Sequence, residues 1–109
     1  MTEIHTYKLD VVVPLYNDEE VIESLCETVF NTLQNKFQSI RMILIDDGST
    51  DESYSVALRM RSVYDAIDVI KLAGNFGQHR AILAGLRSTS ADLVAVMDSD
   101  LQDRPEHIP

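Results

Sequence analysis

Asp98 and Asp100 stand one residue apart, just beyond the apolar run Val94-Ala95-Val96-Met97, with Gln102 two residues further on. Two carboxylates this close repel each other. A hard divalent cation with oxygen ligands, Mg²⁺ or Mn²⁺, is the usual way to offset that repulsion. Gln102 could add an amide oxygen. Mg²⁺ keeps several waters and completes its shell with substrate phosphates, so the set suits a nucleoside diphosphate. The same residues could instead form a solvated turn, in which Asp98 or Asp100 caps a helix following Asp103-Arg104-Pro105. Placement after a buried strand leaves both readings open.

Asp46 and Asp47 form a second acidic pair, in Asp46-Asp47-Gly48-Ser49-Thr50-Asp51. Carboxylates near a helix start are favoured by the helix dipole, and they can accept from nucleobase N–H groups or ribose hydroxyls. The stretch is also good turn chemistry in its own right. His79 could be a catalytic base or a helix-start histidine without a role. Arg80 is the strongly basic residue near a predicted strand end, hence a candidate phosphate contact. Tyr16 could stack on a base or merely cover a strand end. No Gly-x-Gly-x-x-Gly or Walker pattern is present, so a glycine-rich cradle does not hold the phosphates.

These residues need elements to position them. Leu9, Val11, Val12 and Val13, within Lys8–Leu15, predict a strand buried on both faces, hence parallel and central. Pro14 lacks a donor, so pairing should stop near it. Asn17 is a good N-cap with Glu20 three residues later, and Val21, Ile22, Leu25, Cys26, Val29, Phe30 and Leu33 make a helical stripe to about Asn35. Met42 to Ile45 predict a second buried strand, ending at Asp46. Ser49, with Glu52 three residues on, should cap a helix running to about Val63, on which Val56, Leu58, Met60 and Val63 are irregularly spaced. Ile67, Val69, Ile70 and Leu72 predict a third strand, and Gly74 to Gly77 a turn. Gln78–Arg87 reads as a helix with Ile82, Leu83 and Leu86 apolar, and Asp92–Met97 as a buried fourth strand.

Strand and helix alternate throughout, which predicts right-handed βαβ units and a parallel sheet of about four strands with helices on both faces. Ligands of such sheets bind beyond the carboxyl ends of the strands, where strand order switches. The polar clusters after all four strands fall on that edge.

The chain has 109 residues, consistent with a single domain over 1–109. Its 9 basic and 18 acidic residues give a net charge of −9, which argues against nucleic-acid binding. A bound cation can invert the local sign, so phosphate ligands are not excluded. The one cysteine, Cys26, lies on an apolar helical stripe and reads as a buried structural thiol in a reducing compartment. No secretory signal opens the sequence and no apolar run approaches a membrane span. The expectation is a soluble, cytoplasmic chain.

Four segments in this order and spacing resemble the family 2 glycosyltransferases of the GT-A fold, a Rossmann-like α/β architecture. They are Val11 to Glu20, Ile45 to Asp51, Asn75 to Ala81 and Met97 to Glu106. The last two are most similar to the branch containing dolichyl-phosphate mannose synthase and bacterial enzymes acting on undecaprenyl phosphate. The resemblance implies a UDP- or GDP-sugar donor whose nucleotide lies over Pro14, Tyr16, Asn17 and Glu19, with Asp47 and Asp46 receiving base or ribose. Gln78, Arg80 and Asp98 would lie against the donor. Asp98, Asp100 and Gln102 would hold Mg²⁺ or Mn²⁺ on the diphosphate. The reaction would invert the anomeric centre, with the metal acting as a Lewis acid on the departing nucleoside diphosphate. A polyprenyl phosphate is the candidate acceptor.

In that family the acceptor-binding half, the residues thought to act as base and often membrane helices lie beyond the Asp-x-Asp. The sequence stops at Pro109. It therefore reads as the nucleotide-binding half, inactive alone, with an uncovered fourth-strand edge that could drive self-association. A non-catalytic nucleotide-binding or assembly fragment is the alternative. A phosphoacceptor receiver would need its acidic pair after strand one, and a phosphatase would need its Asp-x-Asp there. Strand one ends in Pro14-Leu15-Tyr16-Asn17.

Overall fold

β-Branched and long aliphatic residues are concentrated in four short runs, and each run becomes a strand. The computed structural model describes residues 6–99. Its elements are β1 (Lys8–Leu15), α1 (Ile22–Leu33), β2 (Ser39–Asp46), α2 (Ser53–Val63), β3 (Ile67–Lys71), α3 (Gln78–Arg87) and β4 (Leu93–Val96). The sheet order is β3-β2-β1-β4, and all three pairings are parallel.

Alternation along the strands splits the core in two. Val11, Val13, Leu15, Met42, Leu44 and Ile67 pack with Leu25, Cys26, Val29 and Leu33 of α1 and with Ala57 and Met60 of α2. Val12, Ile43 and Ile45 meet Ala81 of α3 on the opposite face. The first two crossovers step outward from β1, and the third steps back past it to β4. A reversal of direction with right-handedness kept puts α3 on the other face.

Pro14 departs from expectation. Pairing of β1 with β2 continues through Pro14↔Ile45 to Leu15↔Asp46. The Val12 carbonyl accepts from the Met97 N–H, and the Leu15 carbonyl from the Asp47 N–H. Even residues of β1 therefore present their backbone to β4 and odd ones to β2. Pro14 faces the β4 side beyond the last pair there, Val12↔Val96, where no donor is needed.

Both predicted capping boxes are absent. α1 begins at Ile22 after Val21, and α2 at Ser53 after Glu52, neither with a side-chain cap. Asn17 and Ser49 lie several residues upstream, and their side chains are committed elsewhere. α2 buries Ser53, Ala57 and Met60, an i, i+4, i+7 stripe of mostly small residues, while Val63 points outward. α3 likewise buries Ala81 and Gly85 and leaves Leu83 and Leu86 exposed. A Cβ on Gly85 would fall 2.6 Å from Val12 Cγ1 and 2.7 Å from Ile45 Cδ1, so only glycine lets the helix lie this close to the sheet. β4, read as buried, is exposed at Leu93, Val94 and Val96. Among the described residues it has one strand neighbour, β1, and α3 packs over β1 and β2 instead of over β4.

Candidate functional site

β2 and β4 flank β1 on opposite sides: the chain steps outward from β1 to β2 and β3 and then back past β2 and β1 to β4, so the switch in strand order lies at the carboxyl end of β1. A cavity of about 420 Å³ opens there. It is lined by Pro14, Leu15, Tyr16, Asp18, Asp47, Asn75, Gly77, Gln78, Asp98 and Ser99. Among the described residues, three aspartates and no Lys, Arg or His line it. A larger and more apolar groove, of about 550 Å³, lies on the outer side of α3 along Leu72, Phe76, His79, Arg80, Leu83, Ala84 and Arg87. No carboxylate lines it among the described residues.

One wall of the cavity is made by two loops that bond to each other. The Asn17 side-chain oxygen accepts from the Thr50 N–H at 2.8 Å, from the Thr50 hydroxyl at 3.2 Å and from the Asp51 N–H at 3.3 Å. In return, the Asn17 N–H donates to Ser49 Oγ at 3.0 Å and the Asp18 N–H to Ser53 Oγ at 2.7 Å. The Glu19 N–H donates to Asp51 Oδ2, and the Glu52 N–H donates to Glu19 Oε1. Asn17 adopts φ 55°, in the left-handed region that asparagine tolerates better than most residues. Burial opposes the charge of Asp51, but hydrogen bonds from Ser53 and Glu19 outweigh it and hold its carboxyl below the usual range.

The other wall is built on Asp47, which is 3% exposed. Its Oδ1 accepts from the Phe76 N–H at 2.8 Å and its Oδ2 from the Gly77 N–H at 3.0 Å. The carboxylate therefore serves the N-terminus of α3, a different helix from the one its sequence position suggests. Gly48, at φ 73°, sits against the same loop. A Cβ there would lie 2.5 Å from Asn75 N and from Gly74 C. Across the cavity, Gln78 Nε2 donates to Asp98 Oδ1 at 3.4 Å.

Of the residues singled out from the sequence, Pro14, Tyr16, Asp47, Gln78 and Asp98 come together around this cavity. Asn17 and Glu19 lie behind its wall, in the loop lacing. Asp46 does not line it. Alternation places its side chain on the α1–α2 face with Met42 and Leu44, where Oδ1 is buried without a hydrogen-bond partner among the described residues. Arg80 lines the groove on α3 with His79. Asp100 and Gln102 lie outside the described residues. Asp18, Asn75 and Ser99 were not singled out. Each neighbours a residue that was, and only the convergence of the loops distinguishes them. Cys26 is buried as expected, and burial with the nearby Glu27 pushes its thiol up to about 12.

The donors present test the implied metal. Asp98 offers hard carboxylate oxygen at the cavity, and no basic side chain among the described residues competes for it there. That chemistry fits Mg²⁺ or Mn²⁺. Among the described residues no three His, Cys, Asp or Glu side chains converge as a metal-binding group.

Residues 10–109 match the model of glycosyl transferase family 2. The chain belongs to this family. Its curated relatives include the undecaprenyl-phosphate 4-deoxy-4-formamido-L-arabinose transferases of Proteus mirabilis, 40% identical over 103 residues, and of Photorhabdus laumondii, 39% identical over the same length. Each alignment covers 94% of this chain and 32% of the relative, so the chain spans about a third of the length of these enzymes. The fold is shared with the mannosyltransferase PcManGT of Pyrobaculum calidifontis, solved with GDP-Man and Mn²⁺. The TM-score is 0.80 at 22% identity, over 87% of this chain and 28% of that one. TarS of S. aureus in complex with UDP superposes with a TM-score of 0.75 at 26% identity, over 85% and 27%. The family 2 architecture expected from the four motifs is thus present: a four-stranded parallel sheet with helices on both faces.

Proposed function

We propose that this domain binds the nucleoside diphosphate of a sugar donor at the carboxyl end of β1, through a divalent cation, as the donor half of an inverting glycosyltransferase. The observation that carries the reading is the cavity at the strand-order switch, lined among the described residues by three aspartates and no basic side chain. A diphosphate facing Asp18, Asp47 and Asp98 is repelled unless a cation lies between them. Asp98, with Asp100 and Gln102, would hold Mg²⁺ or Mn²⁺. When bound, the metal supplies Lewis acidity toward the leaving nucleoside diphosphate.

The chain's own residues do the rest. Tyr16, 45% exposed at the rim, offers a ring to the base. Asp47 is fixed by two backbone N–H groups and can act only as an acceptor. An acceptor at this point can take the ring N–H of uracil or guanine; cytosine and adenine also offer amino donors, so the preference for UDP or GDP rests on the neighbours solved with GDP-Man or UDP. Names of relatives and neighbours support the reading: undecaprenyl-phosphate sugar transferases, and complexes with GDP-Man and Mn²⁺ or with UDP-GlcNAc. On that support the acceptor is a polyprenyl phosphate.

Calorimetry with UDP, GDP, CDP and ADP, each with Mn²⁺ and with chelator, tests this. Metal-dependent binding of UDP or GDP, at least about tenfold tighter than CDP or ADP, is the expected outcome; tenfold corresponds to about 1.4 kcal/mol. Binding indifferent to metal would remove the basis of the proposal.

A further inference from the structure

We infer that Gln78 is a positioning residue for the metal-binding carboxylate: it turns Asp98 so that one oxygen is left for the cation, and it is itself set in place by Asp47. The inference rests on the reading of the cavity as a cation and diphosphate site. It adds a residue and a connection to that reading.

Gln78 Nε2 donates to Asp98 Oδ1, and Asp98 Oδ2 has no hydrogen-bond partner among the described residues. A carboxylate at the end of a short edge strand is free to rotate, and a donor on one oxygen selects one orientation. The choice of donor fits the task. A Lys or Arg at this place would neutralise Asp98 and compete with a cation. An amide N–H carries no charge and leaves the anion intact. Only N–H of the amide can face a carboxylate that accepts on both oxygens, which fixes the flip of the side chain.

Gln78 depends in turn on Asp47. It is the first residue of α3, and the two N–H groups just before it, of Phe76 and Gly77, are held by the Asp47 oxygens at 2.8 and 3.0 Å. Gly77, at φ 95° and ψ 154°, has nothing within 4 Å of where a Cβ would lie, so glycine is there for its backbone conformation and not for space. The acidic group after β2 is therefore linked to the one after β4 by a loop from β3. It spans the end of β1, which lies between those two strands in the sheet.

The test is Mn²⁺ binding by the purified chain, followed by loss of the free-ion EPR signal, with UDP and GDP calorimetry in chelator alongside. Gln78→Met keeps length and removes the donor. It should weaken Mn²⁺ binding by about tenfold, the scale typical of groups that orient metal ligands, with a smaller effect on metal-free nucleotide affinity and an unchanged melting temperature. Asp47→Asn should weaken Mn²⁺ binding too, and adding Gln78→Met to it should produce little further loss. Unchanged Mn²⁺ affinity in Gln78→Met would overturn the assignment. So would an equal loss of nucleotide affinity in chelator, which would make Gln78 a direct nucleotide contact. Fully additive losses would break the link to Asp47. A wild-type chain that binds nucleotide without regard to Mn²⁺ would sink the cavity reading itself, and this inference with it.

Discussion

The two ends of the sheet treat aspartate in opposite ways. At the amino end Asp10 is 4% exposed and is met by Arg41, whose Nη2 lies 2.8 Å from Oδ2 and whose Nε lies 3.3 Å from Oδ1. Arg41 also pairs with Asp68 at 2.6 Å and donates to the Ser88 carbonyl at 3.1 Å, at the carboxyl end of α3 where a cation suits the helix dipole. These acids raise the pKa of the arginine further, through its hydrogen bond to Asp10 first. At the carboxyl end, Asp18, Asp47, Asp51 and Asp98 have hydrogen bonds from N–H groups and, among the described residues, no cation. At the amino end an arginine meets the buried carboxylate, and at the carboxyl end, among the described residues, no cation does. A buried carboxylate is therefore not a sign of function by itself. What separates the two ends is whether a cation among the described residues meets the carboxylate.

Four changes would break or sharpen this contrast. Arg41→Met should have the largest effect, because it strands Asp10 in the interior. A loss of about 2–3 kcal/mol in urea unfolding is expected, below the full range for a broken buried pair because Arg41 is one-third exposed. A loss under about 0.5 kcal/mol would place the amino end in the class of ordinary surface pairs. Asp98→Asn should leave the urea midpoint within experimental scatter and lower Mn²⁺-dependent nucleotide affinity by at least about tenfold, roughly 1.4 kcal/mol. A large drop in stability instead would mean that Asp98 supports the fold.

Asn17→Ala removes the acceptor shared by the Thr50 and Asp51 N–H groups. A cost of about 1 kcal/mol follows from the lost hydrogen bonds, and the loops should exchange amide hydrogen faster. Protection of the Thr50 amide equal to wild type would show that the lacing is not holding the wall. The smallest effect concerns pH. The Asp51 carboxyl is depressed in the folded chain, so its contribution to stability is present above its unfolded value, near 3.9, and is lost as pH falls through the lower folded value. Acid unfolding of Asp51→Asn should therefore be shallower below about pH 4 than that of wild type. Superimposable acid curves for Asp51→Asn and wild type would remove Asp51 from the lacing.

A transfer assay with the 109 residues alone bears on the whole carboxyl end. On the proposed donor-binding reading no turnover is expected, because the chain spans about a third of the length of its relatives, and clear turnover would require an acceptor site and base within these residues.

Much of the fold is legible in the order of the residues. Runs such as Val11-Val12-Val13 and Met42 to Ile45 are buried on both sides, and a strand buried on both sides implies a parallel sheet with helices on each face. The clusters at Asp46-Asp47 and Asp98 follow strands directly, so their place on the carboxyl edge follows from chain direction alone. Two expectations fail for a common reason. The capping of α1 by Asn17 and the capping of α2 by Ser49 each assume that a residue acts on its own element. In the structure Asn17 and Ser49 act across the gap between loops, and α3 packs through Ala81 and Gly85, whose smallness has no hydrophobic signature.

The sequence by itself determined the sheet, its parallel sense and the edge where the acids collect, because hydrophobic periodicity and chain direction are local properties. Only the tertiary structure decided which acids face the cavity and which hold loops together. That choice depends on which backbone N–H groups and cations come within hydrogen-bond reach of each carboxylate. For Asp47 the partners are 29 and 30 residues away, and for Asp10 the partner is 31 away, distances that only the strand order closes.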